Sequence, residues 1–325
     1  MRILKWHVHG AWSTAFVQGG HTYFIPVTPD RGPFGGGRAT TYDWPDNAVE
    51  VSPEQMADLD VDVVVLQRPE ELDLAERWLR RRPGRDVPAV YVEHNTAKGD
   101  VPNTRHPMAD RDDLLLVHVT DFNDLFWDAG STPTTVVEHG IPDPGPQYTG
   151  ELPRFAVATN EPIRRWRVTG TDLMPRFAAV APLDVYGIKV ADLPQRLGLP
   201  RDAVCGYDDT TQAQMHAAIA RRRVYLHLTR WTSLGLSLLE AMHLGMPVVA
   251  PATTEAVQAV PADAGVLSTR VDDLVEAARW LMTDVGAARR LGAAARSAAR
   301  RRYGLERFLS DWDRVLKEVS RCGSR

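Results

Sequence analysis

Cysteine is almost absent from this chain: two in 325 residues, Cys205 and Cys322, far apart and neither with a CxxC partner. That excludes a disulfide framework and a cysteine-based zinc site as organising features. Long apolar runs are missing too. No stretch approaches the ~18 residues of a membrane span, so no integral membrane segment is expected. The opening MRILKWHVHG puts Lys5 and two histidines where a signal peptide needs unbroken apolar residues, and a cytoplasmic protein is the expectation. Nor does one charge dominate: 38 basic against 42 acidic residues leave a net charge of -4. Nucleic acid and anionic lipid therefore meet no general attraction, and any anion site must be local. No repeat of fixed period is visible.

What is present is alternation. ILKWHV, YFIPV, VDVVVLQ, PAVYVEH, LLLVHVT and TTVVEHG read as strands, with helical patterns between several of them; the clearest is Pro69 to Arg82, stopped by Pro83-Gly84. A second series follows: FAVATN, LDVYGI, VYLHLT, MPVVA and GVLS, separated by stretches such as Thr211 to Arg222 and Val271 to Thr283. Strands alternating with helices predict doubly wound parallel sheets, and two series predict two α/β domains, as does a length of roughly two times 150 residues. Proline and glycine crowd Ile141 to Pro153, which reads as the linker. The expected division is an N-terminal domain over 1–148, a second over 149–304, and a terminal helix over 305–325, apolar on one face through Phe308, Leu309, Trp312, Val315 and Leu316.

Open parallel sheets bind ligands beyond the carboxyl ends of their strands, where loops lead into helix N-termini, and two such domains facing each other would form a cleft. By that rule His9-Gly10, His94-Asn95, Asn160 to Arg167 and the stretch WTSLGLSLLEAMHLGMPVVA, Trp231 to Ala250, stand out. In the last of these Gly235 opens a helix that Gly245-Met246-Pro247 closes. Two readings are open: free amides at the helix start hold a phosphate, or Ser237 and Glu240 form a capping box while the leucines fill a core. Gly35-Gly36-Gly37 has no following GK[ST], so it is not a P-loop and reads as a mobile loop. Asp208-Asp209 reads as a turn, and no DxD-like pair sits at a strand end. The arginine runs 80–82, 221–223 and 300–302 fall late in expected helices, where they complement helix dipoles.

TSLGLSLLEAMHLGMPVVA resembles the E-x7-E region of glycosyltransferase family 4, and the likeness extends to AVPADAGVLSTRVDDLVEAARWLM, LLLVHVTDFNDLFWDAG and TTVVEHGIPD. The resemblance implies a GT-B architecture, two Rossmann-like domains facing a cleft, and retaining transfer of sugar from a nucleotide sugar, with no cofactor and normally no metal. It implies that the terminal helix packs back toward the first domain. Glu240 takes the place of the second glutamate, which holds the ribose hydroxyls; Thr232 stands at the first. Gly235, Leu236 and Ser237 would meet the diphosphate or sugar. In NEPIRRWRVTG, Arg164 fits the arginine of R-x4-K-G and Thr169 the lysine position, with Arg165 or Arg167 as substitute cations.

On the first domain the likeness suggests Gly10 near the diphosphate, His94 against donor and acceptor, and Trp12 and Asn95 on the acceptor side. His118 reads as a buried strand residue, His139-Gly140 as part of the turn into the linker, and Val204 to Tyr207 as the base-binding loop. The implied partners are a nucleotide sugar and a carbohydrate, lipid or small-molecule acceptor. Two other readings stand beside the transferase: a GT-B epimerase or phosphorylase, and a nucleotide-sugar-binding subunit without turnover, the latter prompted by Thr232 and Thr169.

Overall fold

The structure, a computed structural model, describes residues 1–208 and 210–322. Asp209 of the expected turn and the side chain of Cys322 lie outside that description. The chain divides into two compact units, with the boundaries at Pro142/Asp143 and Gly304/Leu305.

The first unit runs β1 (Arg2–Lys5), α1 (Gly10–Phe16), β2 (Thr22–Pro26), β3 (Ala48–Val51), α2 (Pro53–Met56), β4 (Val63–Leu66), α3 (Glu70–Leu79), β5 (Ala89–Glu93), β6 (Leu115–His118), α4 (Asp121–Phe126) and β7 (Thr134–Val136). Its seven strands are all parallel, in the order β3-β2-β1-β4-β5-β6-β7. Strands buried on both faces need nearly continuous apolar sequence, which is why VVVL and AVYV carry no polar alternation. Leu4, Trp6, Val64, Leu66 and Tyr91 pack in one cluster with Ala75 and Leu79 of α3.

The second unit runs β8 (Leu152–Ala158), α5 (Pro162–Arg165), α6 (Met174–Ala178), β9 (Leu183–Tyr186), α7 (Leu193–Leu197), β10 (Val204–Tyr207), α8 (Gln212–Ile219), β11 (Arg222–Leu226), α9 (Leu236–Leu244), β12 (Val248–Pro251), α10 (Ala256–Ala259), β13 (Gly265–Ser268), α11 (Val271–Thr283) and α12 (Val285–Arg302). The sheet order is β10-β9-β8-β11-β12-β13, again all parallel. The last helix, α13 (Leu305–Cys322), belongs to the first unit. Its Trp312 meets the rings of Trp12 and Phe16 at 5.7 and 5.1 Å, and Arg307 donates to the carbonyls of Glu138 and His139. Among the described residues no helix is long and apolar enough to cross a membrane.

Several expectations need correction. The helix read over Pro69 to Arg82 ends at Leu79, where Arg80 turns left-handed at φ 54°. Two strands escaped the sequence reading. One is β3, an edge strand whose Val49 is exposed; the other is β10, so Val204 to Tyr207 is not a loop. Its Gly206 is required by close approach, because a Cβ there would lie 2.0 Å from the Val190 carbonyl oxygen. Arg222 and Arg223 open β11 rather than end a helix. Arg222 and Arg154 both donate to the fully buried Asp184 carboxylate, at 2.7 Å and at 2.9 and 2.6 Å. The triglycine segment is tied down: Thr28 N–H bonds to the Gly35 carbonyl and Gly37 N–H to the Pro26 carbonyl, both at 3.0 Å.

Candidate functional site

In each sheet the strand order reverses beside the first strand, between β1 and β4 and between β8 and β11. At such switch points neighbouring loops diverge and leave a crevice at the carboxyl ends. In the second unit β11 leads through Thr229 to Gly235 into α9. Gly235 is the helix N-cap, and a Cβ on it would sit 2.4 Å from the His227 ring, so only glycine fits. No side chain caps this helix. Leu238 N–H returns to the Gly235 carbonyl at 3.0 Å, and the preceding amides of Leu236 and Ser237 fall outside the helix's own bonding.

The capping-box reading fails. Ser237 is the second helical residue, and its hydroxyl donates to the carbonyl of Ala158, the last residue of β8, at 3.3 Å. That bond ties the start of α9 to the neighbouring strand end. Glu240 faces α8 instead: its carboxylate accepts from Gln212 Nε2 at 2.7 Å and lies 3.4 Å from His216 Nε2. Gln212 and His216, spaced i,i+4 on one face of α8, were passed over in the sequence; that spacing is the signal that would have found them. Thr232 is half-buried in the loop before Gly235.

Beyond β8, Asn160 accepts Ile188 N–H at 3.0 Å and Glu161 adopts a left-handed backbone. The three arginines that follow have different surroundings. Arg164 is 69% exposed and bonds to Glu161, which also takes Lys189 at 3.1 Å. Arg167, also exposed, lies 3.1 Å from Asp172. Arg165 is half-buried and makes no ion pair among the described residues; burial, then the neighbouring Arg164 charge, pulls its pKa down. Thr169 is buried and bonds to the Trp166 carbonyl and the Thr171 hydroxyl, so the residue at the expected lysine position faces the interior. Arg230, unremarked in the sequence, makes a two-pronged bond to Asp172 at 2.6 and 2.9 Å and donates to the Arg167 carbonyl, bracing the arginine loop against the strand end. Asp208 accepts the backbone N–H groups of Val190 and Ala191.

In the first unit His94 follows β5 and is buried, its ring 4.2 Å from that of His9, the residue before α1. Burial, with His9, His139 and Lys5 nearby, holds its pKa well below the usual imidazole value, so it is neutral. Burial likewise lowers His9 to about 4 and His139 to about 3. Asn95 is exposed. One expectation is overturned here. Trp12 is 1% exposed, stacked on Phe16 and set edge-on to Trp312 and Phe308, so it is core rather than a group on the acceptor side. Gly10 opens α1 against the Tyr42 ring, which a Cβ at this position would approach to 2.7 Å. His118 is buried in β6 as read, with no exposure. Lys5, the last residue of β1, is fully buried; burial lowers it to about 7, and it donates to Ser13 Oγ at 2.8 Å.

Residues 199–298 match the family model described as Glycosyl transferases group 1. No curated protein matches the chain in sequence. Among solved structures, sucrose-phosphate synthase from Thermosynechococcus elongatus superposes with a TM-score of 0.72 at 14% identity, covering 98% of this chain and 99% of that one. The Anabaena protein HepE, solved with UDP, gives 0.68 at 13%, covering 98% and 100%. A glycosyltransferase from Rickettsia africae gives 0.69 at 14%, covering 98% of each. The architecture is therefore GT-B: two α/β units, each built on a parallel sheet.

Proposed function

We propose that this chain is a retaining glycosyltransferase of the family 4 kind, moving a sugar from a nucleoside-diphosphate sugar to an acceptor hydroxyl without a metal. The observation that carries the reading is the convergence at the β8/β11 switch. The start of α9, which no side chain caps, and the half-buried Arg165, which makes no ion pair among the described residues, both lie there, and α9 falls within the segment that matches the group 1 model. Departure of a nucleoside diphosphate accumulates negative charge, and preplaced amides and a partly desolvated guanidinium stabilise it without reorganisation. The C1–O bond to the diphosphate breaks, the acceptor oxygen bonds to C1 on the same face, and the acceptor proton passes to the departing phosphate oxygen. No protein nucleophile is needed. Neutral His94 would contact sugar and acceptor, with Asn95 beside it. HepE was solved with UDP-glucose, which makes that the first donor to test.

The test is release of nucleoside diphosphate across a donor and acceptor panel, with and without excess chelator. Release that persists in chelator and falls further in Arg165→Ala than in Arg164→Ala is expected, since Arg164 already has a carboxylate partner. Release abolished by chelator and restored by magnesium removes the metal-free mechanism. A second reading, a nucleotide-sugar-binding subunit without turnover, draws on the inward-facing Thr169; it predicts UDP binding with no release from any donor.

A further inference from the structure

The loop after β5 is held by a closed ring of contacts that the transfer chemistry does not use. Glu93, the last residue of β5, is buried and splits its carboxylate between two tasks. Oε1 accepts the Asn95 backbone N–H at 2.5 Å and its side-chain amide at 3.2 Å; Oε2 lies 3.0 Å from His106 Nε2. The His106 tautomer follows from its other nitrogen: Nδ1 accepts Met108 N–H at 3.0 Å, so the proton sits on Nε2 and is donated to Glu93. The His106 ring packs edge-on against Trp127 at 4.9 Å, and Trp127 Nε1 donates to the Asn95 carbonyl at 2.8 Å. Asn123 Nδ2 secures the Glu93 carbonyl at 3.3 Å. Both backbone polar groups of the exposed Asn95 are therefore bonded to this ring, one residue beyond His94.

We infer that Glu93 is a positioning residue: with His106 and Trp127 it clamps the turn that carries His94 and Asn95, setting where these two side chains meet substrate. The inference rests on the proposed transferase reading for its catalytic consequence but not for its geometry. Glutamine cannot replace the carboxylate, because Asn95 and His106 both present donors and an amide offers one oxygen. Whichever way the substituted amide turns, its NH2 faces an N–H, unless His106 gives up its bond to Met108.

The experiment is amide hydrogen exchange together with ring-nitrogen NMR on the full chain, comparing wild type, Glu93→Gln and Trp127→Phe. In wild type, His106 is expected as the Nε2–H tautomer with a protected Asn95 amide. In Glu93→Gln, protection at 94–96 should fall at least about tenfold while β1, β4 and α13 keep theirs; Trp127→Phe, should the first variant fail to fold, gives a smaller local loss. UDP affinity, measured by calorimetry, should be unchanged in both variants, and UDP release from UDP-glucose, if wild type shows it, should fall with kcat. Unchanged protection at 94–96, or a uniform loss of protection across the first unit, overturns the clamp. Absence of release from every donor in wild type overturns the transferase reading and leaves the exchange result to decide the clamp by itself.

Discussion

Replacing Glu240 by glutamine separates a strut from a binding group, because the carboxylate has capacity for both. An ionised carboxylate offers about four lone-pair positions. Gln212 engages one of them, and His216 Nε2 lies 3.4 Å from the other oxygen without a hydrogen bond, which leaves acceptor positions for the vicinal hydroxyls of a ribose. In Glu240→Gln the amide oxygen can still accept from Gln212, so the fold loses only the difference between a charge-assisted and a neutral hydrogen bond, about 1 kcal/mol. The ribose would lose more: one charged acceptor becomes neutral and the other becomes a donor, a cost of roughly 1.5–3 kcal/mol, or about 10- to 150-fold in Kd. Calorimetric titration with UDP and with 2′-deoxy-UDP reads this directly. Wild type should favour UDP, and the variant should lose most of that preference with a small drop in Tm. UDP affinity within twofold of wild type, with a lowered Tm, would make Glu240 only a tie between α8 and α9 and refute the ribose assignment.

Asp184→Asn leaves the partly exposed Arg154 and Arg222 around a neutral buried group; breaking such an ion cluster costs up to about 3–5 kcal/mol, measurable as a lowered urea midpoint. Equal stability would show that the two guanidinium groups find other partners. Burial lowers His9 and His227 to about 4 in the folded chain, so between about pH 6.5 and 4 the unfolded state binds the extra protons. The stability they support is therefore complete above 6.5 and declines as pH falls toward 4, on the order of 3 kcal/mol for each histidine. A Tm that stays flat from pH 7 to 4.5 contradicts that burial.

Two parallel sheets were legible because strands buried on both faces write themselves as continuous apolar runs, and the helices between them as 3.6-residue periodicity. The strands that escaped, β3 and β10, each lie at one edge of their sheet, whereas the opposite edges, β7 and β13, were read. Glu50 in β3 and Gly206 in β10 interrupt short apolar runs, and Gly206 is a strand residue only because of what approaches it. The boundaries of α9 were also legible, Gly235 before it and Gly245 in a left-handed C-cap after it, because both positions follow local backbone rules.

The position of the candidate site was thus determined by the sequence alone, through a rule about strand ends and helix starts that involves only neighbours in the chain. Which side chain does what was decided by the tertiary structure. Sequence spacing favoured Arg164, whereas burial and the Glu161 partner distinguish it from Arg165. It offered Trp12 for the acceptor side, but α13, nearly three hundred residues away in sequence, covers that ring. It paired Ser237 with Glu240, yet the hydroxyl turns to β8 and the carboxylate to α8. It left Glu93, His106 and Trp127 as unrelated residues, although they close one ring. Periodicity records which face of an element is apolar; charge pairing, burial and hydrogen-bond direction depend on segments that come together only when the chain folds.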